Sequence, residues 1–203
     1  VILEADWCVE EFLKELDRLN LTDNTLVILT SDNGPVLDDG YQDQAEELVG
    51  SHKPAGPYRR WKTMRYAGGT CIPFIVRWPG VVEPGVSDAF VCQMDLLASL
   101  ASLVGQSYPD RTDSQNTLQT FLGKNRKGRN ELVIEGMLDY AYRQRDWVMI
   151  PPYPGENRAY ELYNIRKDPE QKNDLSESEP KVLRRMMMRF EELKRETDKK
   201  TNF

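Results

Sequence analysis

The sequence predicts a mixed α/β protein, an α/β region followed by a small antiparallel sheet with a helix packed on it. Two apolar runs, Thr25–Thr30 and Pro73–Trp78, have strand length and no polar face. Short strand-like segments crowd the stretch from Glu131 to Tyr163, and amphipathic helical periodicity occurs near both ends of the chain.

Asp6–Asn20 reads as a helix because Val9, Phe12, Leu13, Leu16 and Leu19 recur at helical spacing among Glu, Lys and Arg. Leu21-Thr22-Asp23-Asn24 breaks it. The run Leu26-Val27-Ile28-Leu29 suits a strand covered on both faces, as in the centre of an α/β sheet, and it stops abruptly at Ser31-Asp32-Asn33-Gly34-Pro35. Residues 36–62 are polar, with scattered Gly and Pro and little periodicity. Long irregular stretches of this kind in compact domains are usually functional or disordered. A second buried strand is expected at Pro73–Trp78, closed by Pro79-Gly80. Gln93–Val104 follows as a helix with Leu96, Leu97, Leu100 and Val104 on one side and Asp95 in its first turn.

Pro, Asp, Ser, Asn and Gly then collect between Tyr108 and Gly128, which places a subdomain boundary within Gly123–Arg129. The expected domains are residues 1–123, the later part of an α/β domain, and 124–203, a small α+β subdomain. In the second, Glu131–Glu135, Leu138–Arg143, Trp147–Ile150 and Ala159–Tyr163 are strand candidates, with Pro151-Pro152-Tyr153-Pro154-Gly155 as a connection. Pro180 opens a closing helix to about Lys194. Its Met186-Met187 pair reads as core filler.

Composition excludes several classes. With 39% hydrophobic and 30% charged residues, the chain has the balance of a folded globular protein. No apolar run approaches the roughly 20 residues needed to cross a bilayer. A net charge of -6 argues against a nucleic-acid partner but leaves room for a local basic pocket that binds a small anion. Cys8, Cys71 and Cys92 are odd in number and widely spaced, so they give neither a zinc ribbon nor a disulfide framework. The chain opens on Val1-Ile2-Leu3 without a basic or small-residue leader pattern, and such a start says nothing about export.

Three groups of residues carry candidate chemistry. Asp32 and Asn33 follow a buried strand, where open α/β sheets bind ligands, and together they offer two adjacent hard oxygen donors. Such donors suit Ca²⁺ or Mg²⁺ and suit zinc poorly. Two donors do not complete a site, and Asp-Asn-Gly is also a common tight turn. Lys53 to Lys62 forms a cationic loop leading to Gly68-Gly69, able to hold an oxyanion or to remain solvated surface. His52, the single histidine, precedes this loop, as a surface residue or as a hydrogen-bonding and proton-transfer group.

In this order, the pieces resemble the sulfatase branch of the alkaline phosphatase superfamily. The matching stretches include Asn24-Thr25-Leu26-Val27-Ile28-Leu29-Thr30-Ser31-Asp32-Asn33-Gly34-Pro35, His52-Lys53-Pro54-Ala55-Gly56-Pro57 and Lys62 through Gly68-Gly69-Thr70. Pro73–Gly80, Asp95–Leu100 and Glu161-Leu162-Tyr163-Asn164 with Asp168-Pro169 continue the series. The resemblance implies part of an alkaline-phosphatase-like α/β/α domain and hydrolysis of sulfate esters of carbohydrates or aryl compounds. It implies Asp32 and Asn33 as ligands of a divalent cation, Ca²⁺ first and Mg²⁺ as the alternative. Lys62 would contact the sulfate and assist the departing alcohol oxygen, and His52 would contact substrate. Export to a periplasmic, extracellular or lysosomal compartment is implied as well.

The family's nucleophile is a formylglycine made from Cys/Ser-x-Pro-x-Arg, expected upstream of this chain. Cys71-Ile72-Pro73-Phe74-Ile75 begins that pattern but ends in Ile. By itself the chain is therefore expected to be inactive. Arg59-Arg60-Trp61 stands where relatives often carry Arg-Gly-Gly. The alternatives are a phosphodiesterase or phosphonate hydrolase of the same superfamily, and a noncatalytic glycan-binding remnant.

Overall fold

A computed structural model describes residues 2–38, 40–109, 112–136, 140–153 and 155–201, without the side chains of 198–201. The chain forms two compact units, Val1–Thr30 with Pro73–Gly128, and Ser31–Ile72 with Arg129–Phe203. No helix among the described residues is long and apolar enough to cross a membrane.

In the first unit, α1 spans Ile2–Arg18, longer at its start than its apolar spacing predicts. Of its apolar stripe only Leu16 is buried, while Trp7 and Phe12 lie open to solvent. Strands β1 (Val27–Thr30) and β2 (Phe74–Arg77) pair antiparallel, with Val27 opposite Arg77 and Thr30 opposite Phe74. The two apolar runs are therefore strands, but the expected cover on both faces is not what they have. Leu29 is 40% exposed and Ile75 56% exposed, since no described element lies over that face of the ribbon. The Trp78 indole N–H donates to the Asp23 carbonyl at 3.0 Å, tying the end of β2 to the turn before β1.

Helix α3 (Asp95–Leu103) carries Asp95 in its first turn, as expected. That carboxylate is fully buried and accepts the Gln115 N–H at 2.8 Å, while Ser99 Oγ accepts the Thr117 N–H at 2.9 Å. These bonds satisfy the backbone that enters α4 (Leu118–Phe121), whose Phe121 ring stacks on Phe74 at 5.2 Å.

The second unit begins with a long loop, broken by the short helix α2 (Ala45–Leu48). It continues into four strands, β3 (Glu131–Glu135), β4 (Tyr140–Gln144), β5 (Trp147–Ile150) and β6 (Glu161–Asn164). They form an antiparallel meander in sequence order, so the expected small sheet is present. Leu138 and Pro154, named above in a strand and a connection, lie outside the described residues, as does Val1.

Alternation along these strands makes two cores. Tyr142, Met149 and Leu162 face α5 (Pro180–Thr201), where Met186 and Phe190 complete a buried cluster. Met186 is fully buried and Met188 is 67% exposed, so the methionine run serves as core where it meets the sheet. The Arg189 guanidinium pairs with Glu131 at 2.8 Å, and the Tyr142 hydroxyl donates to the same carboxylate. On the opposite face, Ala141, Val148, Ile150 and Tyr163 pack against Tyr66 and Ala67, which belong to the loop that carries Lys62.

Candidate catalytic and metal-binding loops

Asp32 lies two residues past the end of β1 and is exposed, while Gly34 is buried. The Asn33 N–H donates to Asp32 Oδ1 at 3.0 Å, and Asn33 Nδ2 donates to the Gly34 carbonyl at 2.9 Å. These bonds orient both side chains and leave Asp32 Oδ2 and Asn33 Oδ1 as open hard donors. That donor set fits an alkaline-earth cation. Among the described residues no group of three or more His, Cys, Asp or Glu converges to hold a metal.

Gly34 anchors this turn to the lysine loop. Its N–H donates to the Gly69 carbonyl at 2.9 Å, and a Cβ on Gly34 would lie 1.9 Å from the Gly68 carbonyl oxygen. Any side chain there would push the two loops apart. One residue on, the Pro35 carbonyl accepts the backbone N–H of Lys62 at 2.9 Å. The structure thus joins the Asp32-Asn33 turn to Lys62 through the backbone.

The lysine loop is tightly wound. Arg60 and Thr63, on either side of Trp61-Lys62, have φ of 68° and 71°, left-handed values that cost residues with a Cβ free energy. A Cβ on Gly68 would stand 2.0 Å from the Arg60 carbonyl and 2.4 Å from that of Arg59, so the loop closes directly on the Gly-Gly backbone. The Trp61 carbonyl stands 2.7 Å from where a Cβ on Gly69 would lie, and Trp61 also lines a cavity of the second unit. His52 sits in an exposed turn whose N–H donates to the Val49 carbonyl. No hydrogen bond joins its side chain to Asp32, Asn33 or Lys62 among the described residues.

Residues near the C-terminus hold this loop from beneath. Gln171 is 0% exposed; its Oε1 accepts the Ala67 N–H at 2.8 Å, and its carbonyl accepts Arg59 Nη1 at 2.9 Å. The Arg59 guanidinium lies 4.0 Å from the Tyr66 ring centroid. The Tyr66 hydroxyl donates to Glu161 at 3.1 Å, beside the Tyr163 hydroxyl at 2.7 Å. Burial, reinforced by the Glu161 carboxylate, pushes the Tyr163 phenol well above its ordinary value and keeps it a donor. Sequence reasoning placed Arg59 in the cationic loop but missed Gln171, since a glutamine in a polar, aperiodic stretch looks like any solvated one. The only signal was position, two residues after the Asp168-Pro169 pair that belongs to the resemblance.

Cys71 packs half-buried against the same core, and burial pushes its thiol up. It fills space under the loop.

The fold and these loops define a mixed α/β chain with oxygen donors and a lysine fixed on one backbone frame, and the sulfatase family profile matches residues 1–106. The chain belongs to the sulfatase family. It is 42% identical to an N-acetylgalactosamine-6-O-sulfatase of Bacteroides thetaiotaomicron over 209 aligned positions, covering 96% of this chain and 41% of that protein. It is 30% identical to the steryl-sulfatase of Rattus norvegicus, covering 90% of this chain and 38% of the relative. A solved structure from work on the metabolism of multiple glycosaminoglycans by B. thetaiotaomicron superposes with a TM-score of 0.88 at 41% identity, over 95% of this chain and 43% of that one. The chain therefore spans about two fifths of the length of these relatives.

Proposed function

We propose that this chain contributes to a sulfuric ester hydrolase acting on a sulfated carbohydrate, with Asp32 and Asn33 as cation ligands and Lys62 as the sulfate-contacting residue. The observation that carries the reading is the Lys62 N–H to Pro35 carbonyl bond, which fixes the lysine relative to the Asp32-Asn33 turn in a chain of this family. The 42% identity to an N-acetylgalactosamine-6-O-sulfatase supports a sugar substrate over an aryl one.

In this reading the chain's residues bind and neutralise. Asp32 and Asn33 hold Ca²⁺, with Mg²⁺ as the alternative, and the remaining ligands come from other parts of the complete protein. A cation held there would supply Lewis-acid charge, and the formylglycine expected upstream would supply the nucleophile. The Lys62 ammonium offsets charge on the sulfate and donates a proton to the departing alcohol oxygen, which makes that oxygen a better leaving group. His52 offers a hydrogen bond to the sugar. Residues 1–123 would complete an α/β/α domain and 124–203 would form its appended subdomain. Export to the periplasm, the cell exterior or the lysosome accords with this family.

Full-length protein assayed for sulfate release from a 6-sulfated hexosamine tests the assignment. Lys62→Ala should lower kcat by about 10²- to 10³-fold, the usual effect of removing one group that stabilises developing charge. Asp32→Ala should weaken Ca²⁺ binding and activity together. Retention of full activity and metal binding by both variants would remove these residues from the site.

A further inference from the structure

Beside the lysine loop the second unit holds an open cavity of about 520 Å³ that none of Asp32, Asn33, His52 or Lys62 lines. Its wall includes Lys53, Arg60, Trp61, Glu170 and Lys172, so cations dominate it although the whole chain carries a net charge of -6. Two of the cations are occupied within the fold. Arg59 is committed to the Gln171 carbonyl and the Tyr66 ring, and Lys172 pairs with Glu170. Lys53 and Arg60 meet no carboxylate at salt-bridge distance among the described residues.

Arg60 is the informative residue. It holds a left-handed backbone at φ 68°, where glycine would fit without cost, and its guanidinium lies 5.7 Å from the Trp61 ring centroid. Local strain of this kind persists where the surrounding structure enforces it, and it clusters at binding sites. Here it places a planar cation and an indole on one wall, directly before Lys62 in the chain. An indole face accepts the apolar face of a pyranose ring, and a guanidinium accepts a carboxylate or sulfate in a two-point contact.

We propose that this cavity is a subsite for an anionic sugar, the unit that adjoins the sulfated residue in a glycan, with Arg60 and Trp61 as its specificity-determining residues and Lys53 as a second cation. The assignment rests on the sulfated-carbohydrate reading above. It gives the enzyme a preference for acidic oligosaccharides over isolated sulfated monosaccharides. Carboxylate and sulfate share the required chemistry, and the experiment separates them.

Binding to the full-length protein is measured by calorimetry with three unreactive disaccharides: a uronate–hexosamine, one bearing a sulfate in place of the uronate carboxylate, and a neutral one. The wild-type protein should bind one or both anionic probes more tightly than the neutral probe. Arg60→Gly removes the guanidinium and relieves the backbone, so the melting temperature should hold or rise. The same variant should weaken anionic binding by about tenfold or more, the scale of a charge-assisted bond, and leave the neutral probe unchanged. Trp61→Ala should weaken all three. Equal wild-type affinity for all probes, or an Arg60→Gly variant that keeps its anionic affinity, overturns the subsite. Failure of the wild-type protein to release sulfate at all would instead sink the sulfatase reading, while the binding arms still decide the cavity.

Discussion

The β1–β2 ribbon and the β3–β6 meander are both antiparallel and both rich in apolar residues, yet one is half open and the other is closed on both faces. In the ribbon, Leu29 and Ile75 face outward without cover. In the meander, Tyr142, Met149 and Leu162 meet α5 while Ala141, Val148 and Tyr163 meet the lysine loop. Strand hydrophobicity is therefore a statement about what a strand needs, and the partner that satisfies it lies elsewhere in sequence. The meander finds both its partners within this chain.

The comparison breaks most readily at Met186. Met186→Ala removes a side chain from a fully enclosed site and should cost about 2–5 kcal/mol of stability in the full-length protein, measured by urea unfolding. Ile75→Ala on the ribbon is its counterpart. A similar loss there would mean that the ribbon face is buried in the complete protein, whereas a change within about 0.5 kcal/mol matches the exposure found here.

A smaller effect is expected at the underside of the lysine loop. Gln171→Leu leaves the Ala67 N–H without its acceptor and should cost about 1–3 kcal/mol. If the glutamine positions the lysine loop, kcat should fall in the protein that remains folded with KM little changed, and Gln171→Glu should restore it. A loss that only tracks the folded fraction would reduce Gln171 to a structural residue.

The smallest effect is one of pH. Burial pushes the Glu131 carboxyl up, but the Arg189 guanidinium and the Tyr142 hydroxyl outweigh it and hold the group below the usual carboxylate range. A depressed folded value means the stabilisation is present above the unfolded value, near pH 4.5, and is lost as pH falls through the folded one. Glu131→Gln should flatten the melting-temperature profile below about pH 5 and leave it parallel to wild type above about pH 6. Identical acid profiles would show that the pair contributes nothing to stability.

Much of this was legible in the sequence. Glu131–Glu135 and Trp147–Ile150 are strands at the residues expected, because alternation and turn residues are local signals. Asp32, Asn33 and Lys62 were legible as residue types after a strand and in a cationic loop. Their linkage was not, since the Gly34–Gly69 and Lys62–Pro35 bonds join backbone atoms across dozens of residues and leave no pattern in side-chain chemistry. The closing helix runs past Lys194 to Thr201, because charged residues of high helix propensity extend a helix without an apolar stripe to mark it. Helices α2 and α4, each a single turn, gave no periodicity to read.

The floor under the lysine loop has a genetic consequence. Glu161, Tyr163 and Gln171 lie about a hundred positions downstream of the segment they support, on the far side of every residue assigned to the cation or the sulfate. A premature stop just after Gly128 would spare the codons for Asp32, Asn33, His52 and Lys62, yet the polypeptide made from that message would carry its lysine on a loop with nothing beneath it. Loss-of-function alleles of such a gene should therefore also fall in the codons beyond Gly128, among residues that touch neither the cation nor the sulfate.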